Sequence, residues 1–276
     1  MLKAVVVAMA VSGSGLAHSQ AEVRSTGDAN RRTHEIGFGW SWHHFKSQDL
    51  IFSPRIFSGS SFRAGTLYYS MKTEHSRHEF SLALGKVNTR SSEATTYFVN
   101  ELPKRTRPST ASLIDFRYGY ARRILPGRKI KFTFGGSFES SFRYMDYRFG
   151  PSESDGSVVS YTLAAWFTSL LPLGPKQGLT FEATFPVLSW LARSKISVTD
   201  DQRLQSSSEL WHVTKNGRLE LPPNFIKLNA SLTYARRLFD RAKLLVSYQF
   251  EFLSYDEPLE VNLMRNALET GLSYEF

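Results

Sequence analysis

The chain has 276 residues, no cysteine, and 34 Lys and Arg against 25 Asp and Glu, for a formal charge of +9. Without cysteine there is no disulfide, thiolate metal site or lipoprotein anchor. A hydrophobic fraction of 41% excludes a bundle of membrane helices, and basic charge concentrated in no single segment excludes nucleic-acid binding.

The N-terminus carries Lys3, an uncharged apolar run from Ala4 to Val11, and small residues that suit cleavage after Ala17 or Ala21. This order predicts a cleaved export signal over residues 1–21, since the run is too short to span a bilayer as a helix. A polar leader over 22–33 follows, and residues 34–276 form the rest of the chain.

From His34 onward the repeating feature is alternation of apolar and polar residues in stretches of about ten, the period of a half-buried strand. In His34–His44, Ile36, Phe38, Trp40 and Trp42 oppose Glu35, Gly37, Gly39, Ser41 and His43. Phe62–Thr73, Glu79–Thr89 and Ala111–Arg122 repeat the pattern. In Lys129–Arg143, Ile130, Phe132, Phe134, Phe138 and Phe142 share one face. Val158–Leu170, Gly178–Trp190, Phe225–Arg236, Lys243–Leu253 and Arg265–Phe276 complete the series.

Short connections near His75–His78, Pro126-Gly127, Pro172–Gly178 and Asp240 alternate with long ones at Phe45–Ser61, Ser91–Thr110, Tyr144–Ser157, Leu191–Asn224 and Ser254–Met264. Strands are expected to run on past the membrane within Leu191–Asn224. The pattern predicts an all-β, closed, antiparallel transmembrane β-barrel of about ten strands. Twelve follow if Leu50–Phe57 or Thr95–Val99 joins the wall, and eight if the first pair is misassigned. Aromatics at 14% suit girdles at the two membrane interfaces.

The last strand carries Gly271, Leu272 and Tyr274 and stops at Phe276. It resembles the C-terminal β-signal of bacterial outer-membrane barrel proteins: a glycine, alternating apolar or aromatic residues and a terminal aromatic. The resemblance implies that Gly271, Leu272, Tyr274 and Phe276 are read by the barrel-assembly machinery through strand pairing, and that the protein resides in the outer membrane. It covers the whole mature chain in pattern and the last strand in motif.

Asp115, Arg117, Lys131, Glu139, Arg143, Glu182, Lys227, Gln249, Glu251 and Glu269 all fall on the inward face. In a narrow barrel such charges are expected to pair, because an unpaired buried charge costs several kcal/mol. The expectation is a side-chain-filled lumen and a structural or interaction protein, such as an accessory subunit of an envelope complex.

A small diffusion channel is the second reading and a hydrolase the third. For an omptin-like protease there is the pair Asp200-Asp201, with His212 nearby, but no Asp-His dipeptide. For a lipid A-modifying enzyme there is His43 beside Ser41. Glu74, His75, His78 and Glu79 have metal-ligand spacing within a polar turn. Gly37-Phe38-Gly39 and Gly135-Gly136 lack the strand-to-helix setting of a phosphate loop, so no cofactor is expected. The expected partners are outer-membrane lipid, lipopolysaccharide facing Lys104, Arg105 and Arg107, and a protein docked on the external loops.

Overall fold

The computed structural model describes residues 32–50, 53–91, 96–99, 102–105, 109–124, 129–149, 152–193, 217–257 and 259–276. The expected signal segment and most of the leader lie outside them. No helix occurs among the described residues.

The strands are β1 (Thr33–Asp49), β2 (Ser53–Lys72), β3 (Ser76–Ser91), β4 (Thr96–Val99), β5 (Leu102–Arg105), β6 (Ser109–Ile124), β7 (Lys131–Phe149), β8 (Ser152–Gly174), β9 (Gln177–Arg193), β10 (Arg218–Glu220), β11 (Phe225–Arg237), β12 (Ala242–Tyr255) and β13 (Val261–Glu275). Each long strand pairs antiparallel with its neighbours in the order β1-β2-β3-β6-β7-β8-β9-β11-β12-β13. Pairing of β13 with β1 closes the ring, from Glu35 opposite Glu275 to Asp49 opposite Val261. The backbones of His34 and Phe276 exchange hydrogen bonds of 3.1 and 2.8 Å just beyond that ladder.

The result is a closed antiparallel barrel of ten strands. Among the described residues, short β10 pairs only with Ser189–Leu191 of β9, beyond the segment of β9 that β11 covers. The segment Thr95–Val99, weighed as an added wall strand, contributes β4, which pairs with β5 in a separate two-stranded sheet.

The outward face is a belt of apolar and aromatic side chains, among them Phe38, Trp40, Phe134, Phe185, Leu268 and Leu272. The strands are longer than the sequence suggests. β8 has 23 residues and β2 has 20, where roughly 9–11 tilted residues cross a bilayer. Two of the expected long loops, Phe45–Ser61 and Tyr144–Ser157, are therefore mostly strand.

The apolar core lies inside the ring, in the half nearer the long loops. Phe45, Phe57, Val87, Leu113, Met145, Leu191, Phe225, Leu253, Tyr255, Val261 and Leu263 pack there with Ala111.

Candidate functional site

The lumen is the site where inward side chains converge, and its chemistry changes in layers from the turn end to the loop end. At the turn end Glu35, on β1, accepts hydrogen bonds from Lys72 Nζ at 2.8 Å, Lys243 Nζ at 3.2 Å and Ser273 Oγ at 2.8 Å. Glu275 meets Lys243 at 2.6 Å and Arg237 at 3.7 Å. Glu35, Lys72, Lys243 and Arg237 stand at the mouth of a cavity of about 1150 Å3 that reaches inward as far as Asp115, Glu251 and Arg265.

Above the mouth Arg77 and Arg117 both pair with Glu79, and both meet Glu182, at 2.8 and 3.1 Å. Their guanidinium carbons lie 5.3 and 5.4 Å from the ring centre of fully buried Trp166, within cation–π range. Gly119 makes this stack possible, because a Cβ there would stand 2.7 Å from the indole.

Higher still, Lys227 Nζ donates to Glu139 at 2.8 Å, and Asn229 joins Glu139 to Thr184 through bonds of 3.1 Å each. Beside them Arg143 bridges Asp115 at 2.7 Å and Glu251 at 2.8 Å. Arg265 closes the square to the same two carboxylates at 3.0 and 2.8 Å. The apolar core covers this layer. Beyond it buried Arg193 clasps Asp49 and donates to the carbonyls of Glu257 and Leu259.

Of the charges read as inward, Asp115, Arg117, Glu139, Arg143, Glu182, Lys227 and Glu251 form ion pairs. Lys131 lines the cavity without one among the described residues, and Glu269 takes hydrogen bonds from Thr66 at 2.7 Å and Gln249 at 3.3 Å. Sequence reading missed Arg77, Arg265 and Trp166, although strand parity places all three inward; it starts a strand at Glu79 but leaves that residue out of the inward charges.

The structure separates the metal-like group. His78 points outward, with Nδ1 3.1 Å from the Tyr118 hydroxyl, while Glu79 serves the lumen cluster. No group able to hold a metal ion occurs among the described residues. Ser41 Oγ lies 2.6 Å from His43 Nε2, both buried, but neither lines the cavity. His43 Nδ1 has no hydrogen-bond partner among the described residues. Asp200, Asp201 and His212 lie outside the described residues, as do Lys104, Arg105 and Arg107 for their side chains.

At the ring closure Leu272 and Tyr274 face outward, Gly271 lies against the Phe38 carbonyl, and Phe276 stacks between His34 and Tyr274 at 5.6 and 6.5 Å. A Cβ at Gly271 would come within 2.8 Å of that carbonyl oxygen.

The class that this wall and lumen define is the outer-membrane β-barrel: closed, antiparallel, apolar outside and charge-paired within. No protein-family model matches the chain, and no curated protein matches it. Among solved structures it is similar to the outer membrane protease OmpT from Escherichia coli, with a TM-score of 0.59 at 8% identity, covering 90% of this chain and 98% of that one. It also aligns with an outer membrane channel from Pseudomonas putida F1, at 0.43 and 13% identity over 92% and 100% of the two chains. The likeness to OmpT is one of fold.

Proposed function

We propose that the protein is a closed, non-enzymatic barrel of the bacterial outer membrane, delivered by a cleaved signal over residues 1–21, that acts through interaction. The observation that carries this reading is the loop-side half of the lumen, where packed apolar side chains lie directly over the Asp115–Arg143–Glu251–Arg265 square. A hydrated solute crossing there would have to open a dry core and strip buried ion pairs of their partners, each at a cost of several kcal/mol. The buried Ser41–His43 pair, set apart from the cavity, supports the non-enzymatic part.

Lipopolysaccharide phosphates facing Lys104, Arg105 and Arg107, and an envelope protein docked on the same loops, are the external contacts that the basic loop supports. Outward Leu272 and Tyr274, beside Gly271 and Phe276 at the ring closure, support recognition of the last strand by the assembly machinery.

Reconstitution of the purified barrel in planar bilayers tests the closed lumen. The expected result is no unitary conductance; reproducible openings would overturn the reading. N-terminal sequencing of protein from an outer-membrane fraction tests the address. Its first residue should be His18 or Glu22, and an intact Lys3–Val11 segment would refute cleavage.

A further inference from the structure

The deep lumen balances its charges cluster by cluster. Arg77 and Arg117 face Glu79 and Glu182, Arg143 and Arg265 face Asp115 and Glu251, and Lys227 faces Glu139. The mouth at the turn end does not follow this rule. Arg123 near the end of β6, Lys131 at the start of β7 and Lys176 in the turn between β8 and β9 line the same cavity from neighbouring positions around the wall. Among the described residues, no ion pair or side-chain hydrogen bond engages any of the three.

Arg237 continues the arc on β11, its backbone N–H donating to the Lys176 carbonyl at 2.8 Å. The Arg123 Nε is shielded from solvent and has no acceptor among the described residues. A donor left buried in that state is unfavourable, because its lost hydration is not replaced. An acceptor brought in from outside would offset that cost.

We propose that this cavity binds a small multivalent anion carrying phosphate or carboxylate groups, which enters from the turn end, the periplasmic side of an outer-membrane barrel. The cavity, about 1150 Å3, is slightly larger than the usual small-molecule site of roughly 300–1,000 Å3 and has room for a hydrated polyanion. Its lining suits a hydrophilic ligand: the hydroxyls of Thr133 and Thr168, 2.6 Å apart, lie near Lys131; one donates to the other, which leaves a single proton free to turn toward an anion. Three neighbouring cations without an acid partner among the described residues favour a ligand with more than one negative charge over chloride or acetate. The proposal rests on the cavity and its charges and holds whether or not the lumen conducts.

The test is isothermal titration of the full mature barrel, refolded in a zwitterionic detergent, with inorganic pyrophosphate in one arm, citrate in a second and acetate in a third. Saturable binding of one equivalent of pyrophosphate, citrate or both is expected, with acetate at least about tenfold weaker, a difference of about 1.4 kcal/mol. Whichever multivalent anion binds identifies the group chemistry. K131Q combined with K176Q changes two exposed side chains and leaves the deep pairs in place. It should weaken binding about tenfold or more, on the scale of two partly screened charge contacts. R123Q should do the same, while K46Q, at the far end of β1, should change nothing. Heat-modifiable mobility on gels confirms that each variant is folded. Binding of neither multivalent anion at millimolar concentration, or binding that the K131Q/K176Q variant leaves intact, overturns the proposal.

Discussion

Replacing Arg143 with methionine removes one corner of the charge square. The side chain is only 3% exposed and bridges Asp115 at 2.7 Å and Glu251 at 2.8 Å. In the variant two carboxylates share Arg265 alone, and the layer goes from neutral to an excess of one buried negative charge. Breaking a buried pair in this way typically costs about 3–5 kcal/mol, because the partner's charge stays behind without compensation. R143M should therefore lose about that much in urea-induced unfolding from phospholipid vesicles, followed by tryptophan fluorescence and gel mobility. Adding E251L restores neutrality, since Arg265 and Asp115 remain paired at 3.0 Å. Replacing a buried pair by apolar residues is often neutral or stabilising, so the double variant should recover most of the loss. A single variant that loses under about 1 kcal/mol would refute the claim that this layer is dry and coupled, since that is the worth of an exposed pair. So would a double variant no more stable than the single one.

Other changes probe the remaining layers. F45A, deep in the apolar core, should cost about 3–5 kcal/mol by the same unfolding assay, through lost transfer energy and the cavity left behind. The combination F45S, F225S and L253S should wet that core and turn a silent barrel into one with measurable ion flux in bilayers. G119V places atoms where Trp166 stacks; it should cost about 1–3 kcal/mol and alter the near-UV circular dichroism of the buried indole. L268R puts a cation on the outward face at mid-height of β13 and should cost about 2–4 kcal/mol in a bilayer, and much less in a detergent that lets the side chain reach water.

The membrane-embedded part of the fold was legible because one rule governs it: apolar residues face lipid, polar ones face the lumen. Ile36, Phe38, Trp40 and Trp42 obey it on β1, and Leu268, Leu272 and Tyr274 on β13. The charges that the rule sends inward largely find one another, although their partners come from across the ring. Sequence parity alone could not tell that Arg77 and Arg117 share Glu79 and Glu182, or that Lys131 stands apart. Trp166 was passed over because a large aromatic on a barrel strand reads as a lipid-facing residue. Its strand parity and the missing side chain at Gly119, where a Cβ would meet the indole, both mark the ring as inward.

The strand ends were misread for one physical reason, and it also explains why the lumen is layered. Alternation reverses phase toward the loop end. On β1, Ser41 and His43 point inward as polar residues, but Phe45 points inward as an apolar one with exposed Lys46 beside it. On β13, Val261 and Leu263 are buried inside while Asn262 is turned outward, and on β6 Ala111 and Leu113 do the same beside Ser112. A search for one phase stops where the other begins, so His44, Arg143 and Arg265 read as strand ends and the extensions as loops. Within the bilayer, lipid takes up the outward apolar face, and the lumen can be polar. Once the strands pass into water the outward face must become polar, and burial is available only on the inside. The apolar plug is then the hydrophobic core of a soluble barrel stacked on a membrane one. Closure of the lumen on the loop side follows from the strands being long. A variant trimmed at both ends of the extensions, joining Phe45 directly to Phe57 and Met145 to Ser157, should keep the charge square but lose stability in water-exposed regions first. Faster hydrogen exchange confined to Val87, Leu113 and Leu263 would bear this out; uniform exchange along the strands would refute it.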